Sequence, residues 1–81
     1  MTRQYTIVLE PNPDEGVYTV TVPTLPGCVT QGKSVEECIG RAKEAIAAWI
    51  ADAEESGESI PTETVRPQVI TLDIPVSAPA A

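Results

Sequence analysis

One stretch of this sequence, Val22 to Trp49, limits the possible folds more than any other. It reads VPTLPGCVTQGKSVEECIGRAKEAIAAW and joins a twice-broken turn to an amphipathic segment. Pro23 and Pro26 cannot donate backbone hydrogen bonds to a sheet, so they end a strand and shape a turn. Gly27 and Gly32 add two further breaks. The pattern predicts a short strand held between two breaks, directly before a helix.

The helix is predicted over residues 34–56. Ser34 and Glu37 form the Ser-x-x-Glu capping box, in which two otherwise unsatisfied backbone N–H groups gain partners. Glu37 and Arg41 are spaced for an ion pair one turn apart, and Gly57 suits the left-handed turn after a helix. Apolar residues recur every three or four positions, as a buried stripe requires: Val35, Cys38, Ile39, Ala42, Ala45, Ile46, Trp49, Ile50 and Ala53.

Three segments alternate along the chain, as half-buried strands do: Gln4–Glu10, Val17–Val22 and Gln68–Ile74. Cys28–Gln31, between the breaks, is predicted as a further short strand, and residues 11–16 carry a dense turn signal. The predicted order is therefore β-β-β-α-β, an α+β fold in which one helix packs on one face of a mostly antiparallel sheet. We predict a single domain over 1–75 and a flexible C-terminal tail over 76–81.

A chain of 81 residues buries a marginal core, and small domains often gain stability from disulfides, metals or self-association. With no histidine and two cysteines, a structural zinc site is nearly excluded. Cys28 and Cys38 are predicted to be two reduced core residues or, alternatively, one disulfide. The sheet face away from the helix is either an ordinary open face or the contact of another subunit, and we expect a homo-oligomer, either a dimer or a tetramer.

The formal net charge of −7 with five basic residues argues against direct nucleic-acid binding, which needs clustered Lys and Arg. An acidic surface suits a basic partner or simply solubility. Asp14, Glu15, Asp52 and Glu55 are the candidate partner contacts on this basis. The N-terminus lacks the apolar segment of a signal peptide and no stretch approaches transmembrane length, so we expect a cytoplasmic protein that does not contact a membrane.

The sequence offers no arrangement typical of catalysis. A nucleophile–histidine pair is impossible without histidine, and no glycine-rich phosphate loop is present. Cys28 has no neighbouring base, and the carboxylates fall in a turn and on the exposed helix face. We therefore expect no enzyme, no cofactor and no metal. Pro23, Pro26, Gly27 and Gly32 are assigned structural roles in the turn, and Leu25, Ile46 and Trp49 are assigned as core anchors.

The central stretch resembles the HicB antitoxin family, including its short, stand-alone members. The resemblance covers roughly residues 5–75 and rests on a set of matching positions: Val22-Pro23, Leu25–Gly32, Ser34–Glu37, Ala42, Ala45, Trp49 and Ile60-Pro61. The chain departs from the family pattern at Thr24, at Cys38-Ile39 and at Gly40. Many HicB antitoxins carry a C-terminal DNA-binding module, and we expect none in this chain because too few residues follow the predicted domain.

The resemblance implies a partial ribonuclease-H-like fold without the catalytic acids. It also implies a partner, a small basic HicA-like toxin of double-stranded-RNA-binding fold that cleaves mRNA. The antitoxin would occlude the toxin's catalytic histidine and RNA surface. The alternative is a stand-alone homo-oligomeric binding or regulatory module with another partner or ligand. A third hypothesis, a residual metal-dependent nuclease, would require hydrolysis of RNA.

Overall fold

The structure, a computed structural model, describes residues 2–77. Three strands precede one helix: β1 (Val8–Asn12), β2 (Val17–Thr21), β3 (Val29–Gly32) and α1 (Val35–Glu55). The strands form one antiparallel sheet in the order β1-β2-β3. This α+β arrangement confirms the predicted β-β-β-α part of the fold. β1 begins later than predicted, at Val8. It also extends through Pro11 and Asn12, because the turn is limited to residues 13–16.

The register of the sheet places the apolar residues of the strands under the helix. Val20 lies opposite Leu9 on β1 and opposite Thr30 on β3, so these three residues share a face. Val20 and Cys38 are fully buried there, and Ile7, Leu9 and Tyr18 pack around them together with Ala42. The helix packs mainly over β3 and less over β2. The core therefore lies toward one edge of the sheet.

The proline-containing turn forms a second buried cluster. Leu25 is fully buried between Val22 and Cys28. Three backbone hydrogen bonds fix this conformation: the N–H of Leu25 donates to Val22 O at 3.0 Å, that of Cys28 to Leu25 O at 3.1 Å, and that of Val22 to Cys28 O at 3.1 Å. The turn thus closes around its own leucine and presents that side chain to the helix residues Ala45, Ile46 and Trp49.

Both ends of α1 follow the sequence signals. The Ser34 hydroxyl accepts a hydrogen bond from the N–H of Glu37 at 3.1 Å, while the Glu37 carboxylate lies 3.9 Å from the guanidinium of Arg41. At the C-terminal end Gly57 has a φ of 71°, which suits a residue without a Cβ. The N–H of Glu58 donates to Ala53 O at 2.8 Å, and this bond ends the helix.

The fourth strand predicted over Gln68–Ile74 is wrong for this chain on its own. Residues 58–76 contain no helix or strand, and the alternating apolar side chains at 69–76 stay exposed: Val69, Ile70, Leu72, Ile74 and Val76. Alternation shows that a segment can pair, but a strand also needs a neighbouring edge within reach. Of the predicted flexible tail, residues 76–77 belong to the described part of the chain and 78–81 lie outside it.

Candidate protein-interaction surfaces

The four acidic residues proposed as partner contacts fall into two separate groups. Asp14 and Glu15 are exposed in the β1–β2 turn, at the end of the sheet where Tyr18 faces Gly32 and the chain enters α1. Asp52 and Glu55 are exposed in the last turns of α1. A rise of 1.5 Å per residue puts Asp52 roughly 25 Å along the helix from its start. The fold therefore does not bring the two groups together, and they would contact different parts of a partner.

The residues assigned to the turn divide between two locations. Pro23, Pro26 and Gly27 belong to the turn between β2 and β3, where Gly27 has a φ of 77°. Gly32 instead lies in β3 beneath the start of α1, and a Cβ there would lie 2.9 Å from both the backbone nitrogen and the sulfur of Cys38. The absence of a side chain at Gly32 lets helix and strand approach closely.

The residues assigned as core anchors differ in burial. Leu25 is fully buried, whereas Ile46 and Trp49 are half-buried against the turn cluster. The indole Nε1–H of Trp49 donates to the carbonyl oxygen of Pro26 at 3.0 Å. This bond ties the C-terminal half of α1 to the turn, which keeps the helix aligned over the sheet.

Glu63 connects the segment after the helix to the start of the sheet, and sequence reasoning did not select this residue. Its carboxylate accepts from the Thr6 N–H at 2.7 Å, from the Thr6 hydroxyl at 2.7 Å and from the Thr24 hydroxyl at 3.1 Å. The Thr6 backbone bond, and then the Thr6 hydroxyl, lower the pKa of Glu63 below its ordinary value. Nearby, the Tyr5 hydroxyl donates to Pro61 O at 2.7 Å. A sequence pattern reports on neighbouring residues, so it does not identify a carboxylate whose hydrogen-bond partner lies 57 positions away.

A groove of about 590 Å³ lies beside this connection, between α1 and the N-terminal segment. Its helix side is apolar, with Ile46, Ala47 and Ile50, and Tyr5 lies opposite. Three of the chain's five basic residues border it together with Glu63: Arg3, Lys43 and Arg66. The groove is therefore an apolar cleft with a mostly basic rim, on a protein that is otherwise acidic.

The sheet face away from the helix is a second uncovered surface. Val8 faces Thr21 on β2, and Thr21 faces Val29 on β3, so the three side chains form an uncharged row across the sheet. Val29 is 57% exposed. Among residues 2–77 no other element covers this row, since the single helix packs on the opposite face.

The two cysteine side chains are buried in the core, as structural residues are. Cys28 and Cys38 are both free and buried, and burial raises the pKa of the Cys28 thiol. A thiol whose pKa is raised forms little of the reactive thiolate at neutral pH. Within the described residues, no group of three His, Cys, Asp or Glu side chains could hold a metal ion. The same part of the chain contains no helix long and apolar enough to cross a membrane.

These features define a class of protein before any comparison: a small acidic α+β domain whose distinctive surfaces suit contact with other proteins. A model of the HicB-like antitoxin of bacterial toxin–antitoxin systems matches residues 5–72. The chain belongs to the HicB-like antitoxin family, which supports an antitoxin-type, non-catalytic role.

Two archaeal proteins of the UPF0150 group are similar to this chain over most of their length. The protein from Thermoplasma acidophilum is 43% identical over 60 residues, which cover 74% of this chain and 86% of that protein. The protein from Archaeoglobus fulgidus is 44% identical over 64 residues, 76% of this chain and 91% of that protein. A UPF0150 protein of Helicobacter pylori is 51% identical over 41 residues, covering 51% and 57%.

Proposed function

We propose that this protein is an antitoxin that binds a small basic HicA-like toxin and blocks its cleavage of mRNA. The observation that carries the proposal is the family match over residues 5–72. The formal net charge of −7 supports a basic partner, because opposite charges accelerate encounter and select between partners. Occlusion requires no chemistry from the antitoxin, so the chain inhibits the toxin by binding to it and not by catalysis.

Each of the two acidic groups is a separate candidate contact for the toxin, and the two can be tested independently. Asp14 and Glu15 extend from the hairpin turn, while Asp52 and Glu55 extend from the end of α1. The uncharged row of Val8, Thr21 and Val29 crosses the open face of the sheet at the end away from the hairpin turn. Exposed charges set the association rate, and buried apolar contacts hold the complex together.

The test begins with tagged protein captured from its native cells, with bound proteins released by denaturant and assayed for ribonuclease activity. The expected result is one small basic protein whose refolded form cleaves RNA and is inhibited when the purified antitoxin is added back. Recovery of no ribonuclease, or of a ribonuclease that the purified chain does not inhibit, would contradict the proposal.

Charge-reversed variants then locate the contact. Asp52→Lys with Glu55→Lys is compared with Asp14→Lys with Glu15→Lys. Glu44→Lys on the exposed part of α1 is the control, with effects compared per reversed charge. A pair that contacts the toxin slows association and reduces its dependence on salt, because screening acts on exposed charges. If both pairs and the control changed the association rate equally, the acidic residues would not be specific contacts and would serve solubility alone.

A stand-alone homo-oligomeric binding module is the second candidate. The observation that favours it is the exposed apolar segment after Pro67, which needs a partner of some kind to be buried. Capture of only the protein itself, as a defined oligomer and without ribonuclease activity, is the outcome expected of this candidate. The cytoplasm is the location in which either role would operate.

A further inference from the structure

Two clefts meet at Trp49, near the C-terminal end of α1. The first has a volume of about 420 Å³ and lies between the helix and residues 27–29. The second has a volume of about 340 Å³ and lies between the helix end and the proline-containing turn. Trp49 and Asp52 line both clefts, and Glu58 lines the second. An aromatic ring and a carboxylate therefore form the wall that the two clefts share.

The indole of Trp49 is held in one orientation. Its Nε1–H donates to the carbonyl oxygen of Pro26 at 3.0 Å, and the half-buried ring packs against the cluster around Leu25. Because the single donor of the indole is already used, the ring offers the clefts only its aromatic surface, which attracts cations. Because the ring is already fixed, a ligand that packs against it does not have to order it.

The C-terminal end of α1 has negative charge that the chain does not balance. A helix C-terminus carries a partial negative charge and is stabilised by nearby Lys or Arg, yet the last turn of α1 contains neither. Residues 44–65 contain no Lys or Arg. Among residues 2–77 the one ion pair joins Glu37 and Arg41, in the first half of the helix. Acids at Asp52 and Glu58 thus break a local rule of helix stability, as sequences do at functional sites.

We propose that the wall shared by the clefts receives an arginine side chain of the basic toxin, with its guanidinium between the Trp49 indole and the carboxylates of Asp52 and Glu58. Arginine fits better than lysine, because its planar guanidinium stacks on aromatic rings and binds carboxylates through paired N–H groups. The assignment of this arginine to the toxin rests on the proposed function.

The first cleft is continuous with the open face of the sheet. It reaches Val29, the exposed end of the uncharged row on β3. A partner seated on that row therefore extends into the cleft without a gap. Its contact would exclude water from the guanidinium and the carboxylates, and opposite charges attract more strongly away from water.

Asp52 and Glu55 then have different roles, although both are exposed at the end of α1. Asp52 lines both clefts, and Glu55 lies outside their lining. Asp52→Asn should raise the Kd for the captured toxin about tenfold or more, the loss typical of a hydrogen bond to a charged group. Glu55→Gln removes the same charge three residues away and is the matched control, for which little change is expected.

Equal losses of affinity for Asp52→Asn and Glu55→Gln would overturn the proposal, because net charge and not the cleft would then decide binding. Circular dichroism and thermal unfolding verify that both variants retain the fold.

Fluorinated tryptophan tests the aromatic part of the site with little change of shape. Trp49 is the single tryptophan of the chain, so biosynthetic incorporation of monofluorinated or trifluorinated tryptophan labels this position alone. Fluorine withdraws electron density from the ring and weakens its attraction for a cation, while the N–H that binds Pro26 O is retained. Affinity for the toxin should fall with each added fluorine. Unchanged affinity across the series would overturn the contact with the ring.

A probe that does not require the toxin allows the cleft and the proposed function to fail separately. The full chain is titrated with a capped tri-arginine peptide, and the magnetic resonance signal of the single indole N–H is followed. Saturable movement of this signal is expected for wild type and Glu55→Gln, with weaker binding for Asp52→Asn and for a tri-lysine peptide. No movement at millimolar tri-arginine would overturn the cleft. A toxin that wild type and Asp52→Asn inhibit equally would also overturn the cleft while supporting the proposed function.

Discussion

The carboxylate of Glu63 accepts two hydrogen bonds from a single residue, Thr6, one from its backbone N–H and one from its hydroxyl, both at 2.7 Å. The two residues are separated by 57 positions. Together with the hydrogen bonds of Tyr5 to Pro61 O and of Arg66 to Gln4, this contact holds the chain after α1 against the start of the sheet. Charge-assisted bonds to a carboxylate are among the stronger hydrogen bonds in proteins, so Glu63 contributes strongly to this connection.

Glu63→Ala should lower the melting temperature at neutral pH, and the difference from wild type should vanish in acid. The pKa of Glu63 is lower in the folded protein, so its stabilising effect is fully present above the unfolded pKa of about 4.3. The effect is lost as the pH falls through the depressed folded value. Melting curves from pH 7 to pH 2 measure this, with Glu44→Ala on exposed α1 as control.

A melting difference for Glu63→Ala that persists unchanged at pH 2 would show that packing and not the ionised carboxylate stabilises this contact. Thr6→Val retains the side-chain shape and removes only the hydroxyl bond. Combined with Glu63→Ala in a double-mutant cycle, it should reveal a coupling between the two residues.

Leu25→Ala should destabilise the fold by about 2–5 kcal/mol, since the side chain is fully buried and its removal leaves a cavity in a turn closed by its own hydrogen bonds. Urea unfolding followed by the fluorescence of the single tryptophan, Trp49, measures the change. Val65→Ala, at an exposed position, should have little effect. A loss for Leu25→Ala no larger than that for Val65→Ala would remove Leu25 from the core.

Two glycine-to-alanine changes should have opposite signs. At Gly32 the new Cβ would lie 2.9 Å from the nitrogen and sulfur of Cys38, and forcing helix and strand apart costs about 1–3 kcal/mol. At Gly40 a Cβ meets nothing within 4 Å, and replacing a helix-interior glycine by alanine gains about 1 kcal/mol. Thermal unfolding of both variants compares them directly. A stabilised Gly32→Ala protein would contradict the close approach of β3 and α1.

The two thiols should react slowly with Ellman's reagent in the native protein and rapidly after denaturation. Cys28 and Cys38 are 5% and 0% exposed, and burial raises the pKa of Cys28, which reduces its reactive thiolate. Two thiols per chain should titrate in denaturant without reductant. A count of zero would reveal a disulfide, and rapid reaction of both thiols in the native protein would contradict their burial.

Local signals in the sequence determined the helix and the first three strands. The Ser34 cap, the apolar stripe and the breaks at Pro23 and Pro26 act within a few residues, so their consequences can be derived without knowledge of the rest of the fold. The burial of Leu25 follows from its position between two prolines that force the chain to turn. The resemblance to HicB-like antitoxins drew on the same stretch.

The tertiary structure alone decided the features that depend on distant parts of the chain. Alternation in residues 68–74 indicates a strand, but the structure leaves this segment unpaired and its apolar side chains exposed. Gly32 was expected to shape a turn, and only the approach of Cys38 explains why it lacks a side chain. The sequence determined which segments can pair or pack, because those tendencies are local. Which partner each segment meets is decided by long-range geometry, for which periodicity carries no information.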